Sequence, residues 1–307
     1  MREYTPAERC MLLLFAQLGG ERPLGGAAYR GMLRMLEALG PGEADFDNPV
    51  TERELRRLGV SQTDAGRILE RLDQEALLDK HLDTLARLGL TVVTRISPDY
   101  PERLRQVLGV QAPMLLYCAG ALELFQGACM SLVGSRRLRS PGEAFARRFG
   151  TAAAEEGITY VSGGAAGADT VGFQSAWSAG GAALVYLADS LQQRVARMQA
   201  ELATGRVLLV SEYGYDQPFS VGRAYSRNRL IHAMGQAVFV AQCDYGTGGT
   251  WNGVMENLKA GWCPVFVSAE EPEDPGTRGL VERGCSPLPT EALGDLRALT
   301  PQQTTLF

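Results

Sequence analysis

The sequence predicts an α/β protein in which an N-terminal helical module precedes a doubly wound, mostly parallel sheet. Three observations predict it. From about residue 82, short aliphatic and β-branched runs alternate with helical stretches of the length that right-handed crossovers need. The run ending at Val133 is predominantly apolar, as a strand buried on both faces is. Two of the runs end in glycine-marked turns that lead straight into helices. Together they describe one extended Rossmann-like domain over residues 81–290, between a helical module at 1–80 and a tail at 291–307.

The 307 residues suffice for one large domain and a smaller one, each with a hydrophobic core. Apolar content of 45% and charged content of 21% are those of a globular chain. A formal charge of −5 argues against a protein that coats DNA by bulk attraction and leaves room for a local basic groove. Six cysteines without a CxxC pair read as reduced packing residues of a cytosolic protein rather than as a disulfide framework or a zinc site. The apolar run at 11–15 is far too short to span a membrane, and acidic residues precede it where a signal peptide is basic.

In chain order, Thr5 and Glu8 form a capping box ahead of CMLLLFAQLGG, whose glycines close the first helix. A second helix is expected over 23–39, then the loop GPGEADFDNP. The segment TERELRRLGVSQTDAGRILERLDQ reads as two short helices joined by GVSQT. That pattern fits either a DNA-reading helix-turn-helix or a plain bundle, and Asp64, Glu70 and Asp73 beside the arginines favour the bundle. Residues 82–88 close a helix, LTVVTR is a strand, SPDYPERLRQVL a turn and helix, and MLLYCAG a strand. Further strands are expected at 130–133, 158–161, 183–187, 207–210, 237–241 and 264–267.

The candidate site centres on residues 129–169. After the strand ending at Val133, Gly134 turns the backbone and Ser140, Pro141 and Glu143 open a helix. After the strand at 158–161, Ser162, Gly163, Gly164 and Gly167 form a second turn, and Asp169 opens the next helix as its cap or loop organiser. Two such turns side by side aim backbone N–H groups at one spot above the carboxyl edge, which favours an anion. Arg136, Arg137 and Arg139 follow the first glycine, and Arg223, Arg227, Asn228 and Arg229 surround RAYSRNRLI. Guanidinium forks match phosphate oxygens in pairs. Tyr225 beside them is either a platform for a base or packing under a helix start. The loop CDYGTGGTWNGVMENL offers Gly248, Gly249 and Thr250 as another phosphate cradle, with Trp251 and Asn252 contacting a base or sugar, or with Trp251 filling a crevice. His81 and His232 lack metal-ligand spacing, so no metal is expected; His232, a turn beyond the arginines, either touches the anion or packs on its helix. No GxSxG elbow is present.

The motifs SPDYPERL, LLYCAG, VGSRR, VSGGAAGAD, SEYG and SRNRLI, in this order over about residues 82–285, resemble the DNA-processing protein A family, also called DprA or Smf. The resemblance implies a Rossmann-like domain that binds single-stranded DNA without base preference, helps load the RecA recombinase in recombination or natural transformation, self-associates as a homodimer in the cytoplasm, and needs neither cofactor nor catalysis. It places phosphate contacts at Gly134, Ser135 and Arg136, at Ser162, Gly163, Gly167 and Asp169, and at Arg227, Asn228 and Arg229. The chain departs from the family at Ala166, usually bulky or basic, and at Phe173, where a histidine is common, and the family's winged-helix tail is not expected in the short stretch after Cys285. Two other readings stay open. One is a sensor of a nucleotide-derived ligand in a defence system. The other is a nucleoside monophosphate hydrolase, since the glycine-rich loop with Glu256, beside Arg136 or Arg227, is similar to the Lonely Guy phosphoribohydrolases. The closing PQQTTLF resembles peptides that dock in the bacterial sliding clamp, with Gln303, Leu306 and Phe307 as anchors, or it is a frayed end.

Overall fold

The computed structural model describes residues 2–20, 23–24, 51–57 and 59–299. The helix expected over 23–39, apart from residues 23–24, the loop after it, and the Gln303, Leu306 and Phe307 tail lie outside the described residues. The chain forms two compact units, Met1–Tyr100 with Ala112–Tyr117, and Pro101–Gln111 with Cys118–Phe307.

In the first unit, helix α1 (Pro6–Phe15) starts on the expected capping box, Thr5 accepting from the Glu8 N–H and Glu8 from the Thr5 N–H. Helices α2 (Glu52–Arg57), α3 (Gln62–Leu72) and α4 (Glu75–Arg87) follow, α4 running on through residue 80. On α3 the buried face carries Ala65, Ile68 and Arg71 at helical spacing. Arg71 is 2% exposed and caps the end of α1: its Nε donates to the Leu13 carbonyl at 2.7 Å and its Nη2 to that of Ala16 at 2.5 Å. Orphan carbonyls at a helix end need such donors. Of the two arginines on the candidate recognition helix, Arg71 is therefore a bundle residue. Strand β1 (Thr91–Thr94) lies beside β2 (Leu115–Gly120), whose first three residues belong to this unit.

The second unit begins with α5 (Glu102–Leu108) and continues β3 (Cys129–Val133), α6 (Ser140–Glu155), β4 (Thr159–Ser162), α7 (Ala168–Ser178) and β5 (Ala183–Tyr186). Then come α8 (Leu191–Arg197), α9 (Gln199–Leu202), β6 (Val207–Ser211), α10 (Val221–Met234) and β7 (Val238–Val240). Helix α11 (Gly248–Ala260), β8 (Val265–Ser268), α12 (Pro275–Val281) and β9 (Ser286–Leu288) complete it. The strand order is β2-β6-β5-β4-β3-β7-β8-β9, and every pair from β6 to β9 is parallel. Strands β3, β4, β5 and β6 step outward one way and β7, β8 and β9 the other, so the order reverses between β3 and β7.

Alternation along β3 divides the two faces of the sheet. Met130 and Leu132 pack with Phe145, Phe149, Tyr160 and Phe239 under α6 and α7. Ser131 points the other way and donates to the Ile231 carbonyl of α10 at 2.6 Å. Helices therefore cover both faces, which is why the strands are predominantly apolar and why the fold class was legible. The short β9, with Pro287 inside it, pairs only with β8 among the described strands and lies at the sheet edge, where a proline costs no ladder bond.

Candidate nucleic-acid interface

A cleft of about 580 Å³ opens above the carboxyl ends of β3 and β7. In a doubly wound sheet the loops on either side of the reversal part there and leave a crevice. The cleft is therefore not centred between the first and second glycine turns, as the sequence suggested. It lies between the first turn and the loop after β7, and the second turn contributes Ala165 and Asp169 at its edge.

The first turn brings Gly134, Ser135, Arg136 and Arg137 to the cleft wall. Its shape is fixed by Gln242, a residue sequence reasoning did not single out. The Gln242 carbonyl accepts from the Ser135 N–H at 2.9 Å, its Oε1 accepts from the Arg139 N–H at 2.8 Å, and its Nε2 donates to the Arg137 carbonyl at 3.3 Å. The available signal was its place two residues past a parallel strand at the carboxyl edge. With their backbone held this way, Arg136 and Arg137 are exposed, and among the described residues neither guanidinium meets a carboxylate in a salt bridge. Arg136 instead stands over the Phe219 ring, 5.9 Å from its centroid.

The second turn spends its amides internally. Asp169 is buried, and its Oδ2 accepts from the Gly163 N–H at 3.0 Å and the Ala165 N–H at 3.1 Å, while the Gly164 N–H faces Ser162 Oγ at 3.5 Å. These groups cannot also be the anion-facing donors the sequence suggested. Asp169 organises the loop, and burial pushes its carboxyl above the ordinary range, opposed by the Arg227 charge and the two backbone donors. Neither Ser162, Gly163, Gly164 nor Gly167 lines the cleft.

Arg227 lies directly beneath this turn, 6% exposed. A Cβ built on Gly163 would fall 1.5 Å from Arg227 Nη1, so glycine is required for the guanidinium to fit. Nη1 donates to the Tyr186 carbonyl at 2.8 Å, and Nε has no hydrogen-bond partner among the described residues. Burial lowers its pKa from the ordinary value, with Asp169 the leading opposing charge. Arg227 and Asn228 both line the cleft with Arg136, although some ninety positions separate the two arginines in sequence. A cation held on so few hydrogen bonds keeps donor capacity for a ligand anion.

The far wall is the N-terminus of α11, where Gly248, Gly249 and Thr250 face the cleft. No side chain caps this thirteen-residue helix, so the positive end of its dipole and its first N–H groups remain for an anion. Asn228 Nδ2 donates to the Gly249 carbonyl at 3.1 Å and ties α10 to this turn. Three apolar side chains on the rim stay exposed: Phe219, Val221 and Tyr225. Phe219 was not singled out from sequence; it precedes α10 in an irregular segment whose only signal was the aromatic itself.

Other expected contacts lie elsewhere. Arg229 is locked in a two-pronged pair with Glu212 at 2.8 and 2.5 Å, and it does not line the cleft. Arg139 pairs with Glu271 at 2.9 Å and Asp274 at 2.6 Å. Arg223 bonds to the Pro218 carbonyl and Gln217 within its own segment. Trp251 is buried, 5.0 Å from the Tyr245 ring and with Arg283 over it, so it fills a crevice. Glu256 is exposed two turns along α11 and does not line the cleft.

Comparison with known proteins follows the same lines. The family model for DNA recombination-mediator protein A matches residues 91–291. Protein Smf of Escherichia coli (strain K12) is 31% identical over 150 residues, 48% of this chain and 40% of that protein. Protein Smf of a Synechocystis strain is 29% identical over 157 residues, 49% and 39%. The matched region thus spans about 40% of the length of these curated relatives. Among solved structures, DNA processing protein A from Streptococcus pneumoniae superposes with a TM-score of 0.74 at 21% identity, covering 98% of this chain and 99% of that one. DNA processing protein A from Helicobacter pylori, whose structure concerns its single-stranded DNA binding mode, gives 0.58 at 23%, covering 69% and 97%. Both share this fold. With its parallel sheet, its cleft at the strand-order reversal and a family match over most of the second unit, the chain belongs to the DNA recombination-mediator protein A family.

Proposed function

We propose that this chain binds single-stranded DNA by its phosphates in the β3–β7 cleft, without base preference and without catalysis, and serves recombination or DNA uptake as a mediator that loads a RecA-type recombinase. One observation carries the reading. Arg136, Arg137 and the buried Arg227 meet an uncapped helix N-terminus across a cleft rimmed by Phe219 and Tyr225. Single-stranded nucleic acid asks for cations and N–H donors along the backbone and aromatic faces for unstacked bases. The Helicobacter pylori relative, with its single-stranded DNA binding mode, supports the choice of ligand. Family resemblance is the support for a recombinase partner, a homodimer and the cytoplasm as its place of action. The sliding clamp as a partner rests on the Gln303, Leu306 and Phe307 tail, and removing that tail is expected to abolish clamp binding.

The test is a titration with dT oligomers of several lengths. Affinity is expected to rise with length and to fall with salt by about 0.7 decade per decade for each phosphate neutralised. Arg136→Ala is expected to lower that slope by roughly that one increment. Tight binding of AMP with no dependence on oligomer length would replace this reading with a nucleotide sensor, and release of adenine from AMP would make the protein a hydrolase.

A further inference from the structure

His232 lies on α10 one turn beyond Arg229, 1% exposed, and it lines the floor of the cleft. Its neighbours dictate its tautomer. Asn257 Oδ1 accepts from the Cys263 main-chain N–H at 3.1 Å, which assigns the other amide atom as the NH2 group. That NH2 stands 3.3 Å from His232 Nδ1 and 3.3 Å from Cys263 Sγ. A donor facing Nδ1 requires a lone pair there, so the ring proton is on Nε2. A second proton would point at the Asn257 NH2, in accord with burial holding the ring pKa down at about 4.

The Nε2–H has no acceptor among the described protein groups, and on α11 it meets only the bare backbone of Gly253. A Cβ at Gly253 would stand 2.9 Å from Nε2. Gly253 sits inside a helix with an ordinary negative φ, where glycine costs helix stability and the backbone gives no reason for it. What the missing side chain provides is room for the imidazole edge between α10 and α11.

We infer that His232 is a ligand-binding residue of the cleft, its Nε2–H donating a hydrogen bond to a phosphoryl oxygen of a nucleic-acid strand seated at the α11 N-terminus. The inference rests on the DNA-binding reading above. It adds a neutral, directional donor to a site otherwise served by arginines and helix amides.

The experiment is a long-range 1H–15N spectrum of the histidine rings, with His81→Gln used to assign the two. The free protein is expected to show His232 with Nδ1 unprotonated and Nε2 protonated, and addition of a dT oligomer to move the Nε2 and Hε2 signals to saturation. His232→Leu is expected to weaken oligomer binding roughly ten-fold, and His232→Gln, whose amide nitrogen reaches the Nε2 position, to recover most of the loss. Because His232→Leu strips Asn257 of one of its two acceptors and can cost folding, Gly253→Ala serves beside it. That variant keeps the ring and Asn257 but sets a methyl against Nε2, and it is expected to weaken binding with the circular dichroism spectrum unchanged. An Nδ1–H tautomer, or ring signals that stay still while Arg136→Ala lowers affinity, overturns the inference and leaves the DNA-binding reading standing. Absence of oligomer binding by the unaltered protein overturns both.

Discussion

A buried imidazole gives this fold an acid response, and a buried guanidinium does not titrate in the same range. His232 titrates near 6.5 when unfolded and at about 4 when folded, because burial disfavours its cation. Between those values the unfolded chain binds the proton and the folded chain does not, so stability falls as the pH is lowered through that window. The loss is on the order of 3 kcal/mol, present in full near pH 4 and absent above pH 7. Urea unfolding between pH 7 and pH 4 is expected to show this slope and His232→Gln to flatten it; equal slopes would mean the ring is not desolvated. Arg227 is charged at every such pH. Its cost is met by Asp169 and the Tyr186 carbonyl, and bound phosphate would supply the remaining partner.

At the scale of elements, the arginines sort by what their own segments face. Arg229 and Glu212 form a pair whose side chains are 15% and 8% exposed, fastening α10 to the end of β6. Removing one partner strands the other, so Glu212→Ala is expected to cost about 3 kcal/mol in chemical denaturation. Arg136 and Arg137 are left in place by that change, so oligomer affinity of the folded fraction is expected to hold. A fall in affinity comparable to that of Arg136→Ala would assign the pair to the cleft instead. The same sorting explains what was legible in the sequence. The parallel strands were readable to within about a residue because burial on both faces leaves a mainly apolar run, whereas Ser286, Pro287 and Leu288 of β9 carry no such mark. The glycine turns were readable, but which arginines stay open was not. Arg139 is occupied by Glu271 and Asp274, more than 130 positions away, and Gln242 fixes the first turn across a hundred more. Only the strand order, itself a tertiary fact, moves the cleft from the β3–β4 side to the β3–β7 side.

For the molecule as a whole, a formal charge of −5 limits how DNA can be held. Diffuse attraction to an acidic protein is absent, so affinity has to come from a local concentration of positive potential. The cleft supplies three guanidinium groups, Arg136, Arg137 and Arg227, against two carboxylates, Asp169 and the rim residue Asp244, with the α11 N-terminus adding partial positive charge. If this cleft is where the strand is gripped, each copy neutralises at most about three phosphates, and the salt slope per copy is bounded at roughly 2. The double variant Arg136→Ala with Arg137→Ala is then expected to bring the slope below about 1, leaving Arg227 and the helix amides to hold the chain. The measurement is fluorescence anisotropy of a labelled dT oligomer across a salt series at fixed pH, with stoichiometry determined at saturating concentration. A per-copy slope well above 2 that survives the double variant would mean that cations outside the cleft, including those of the helical unit, carry the strand, and the interface would have to be redrawn around them.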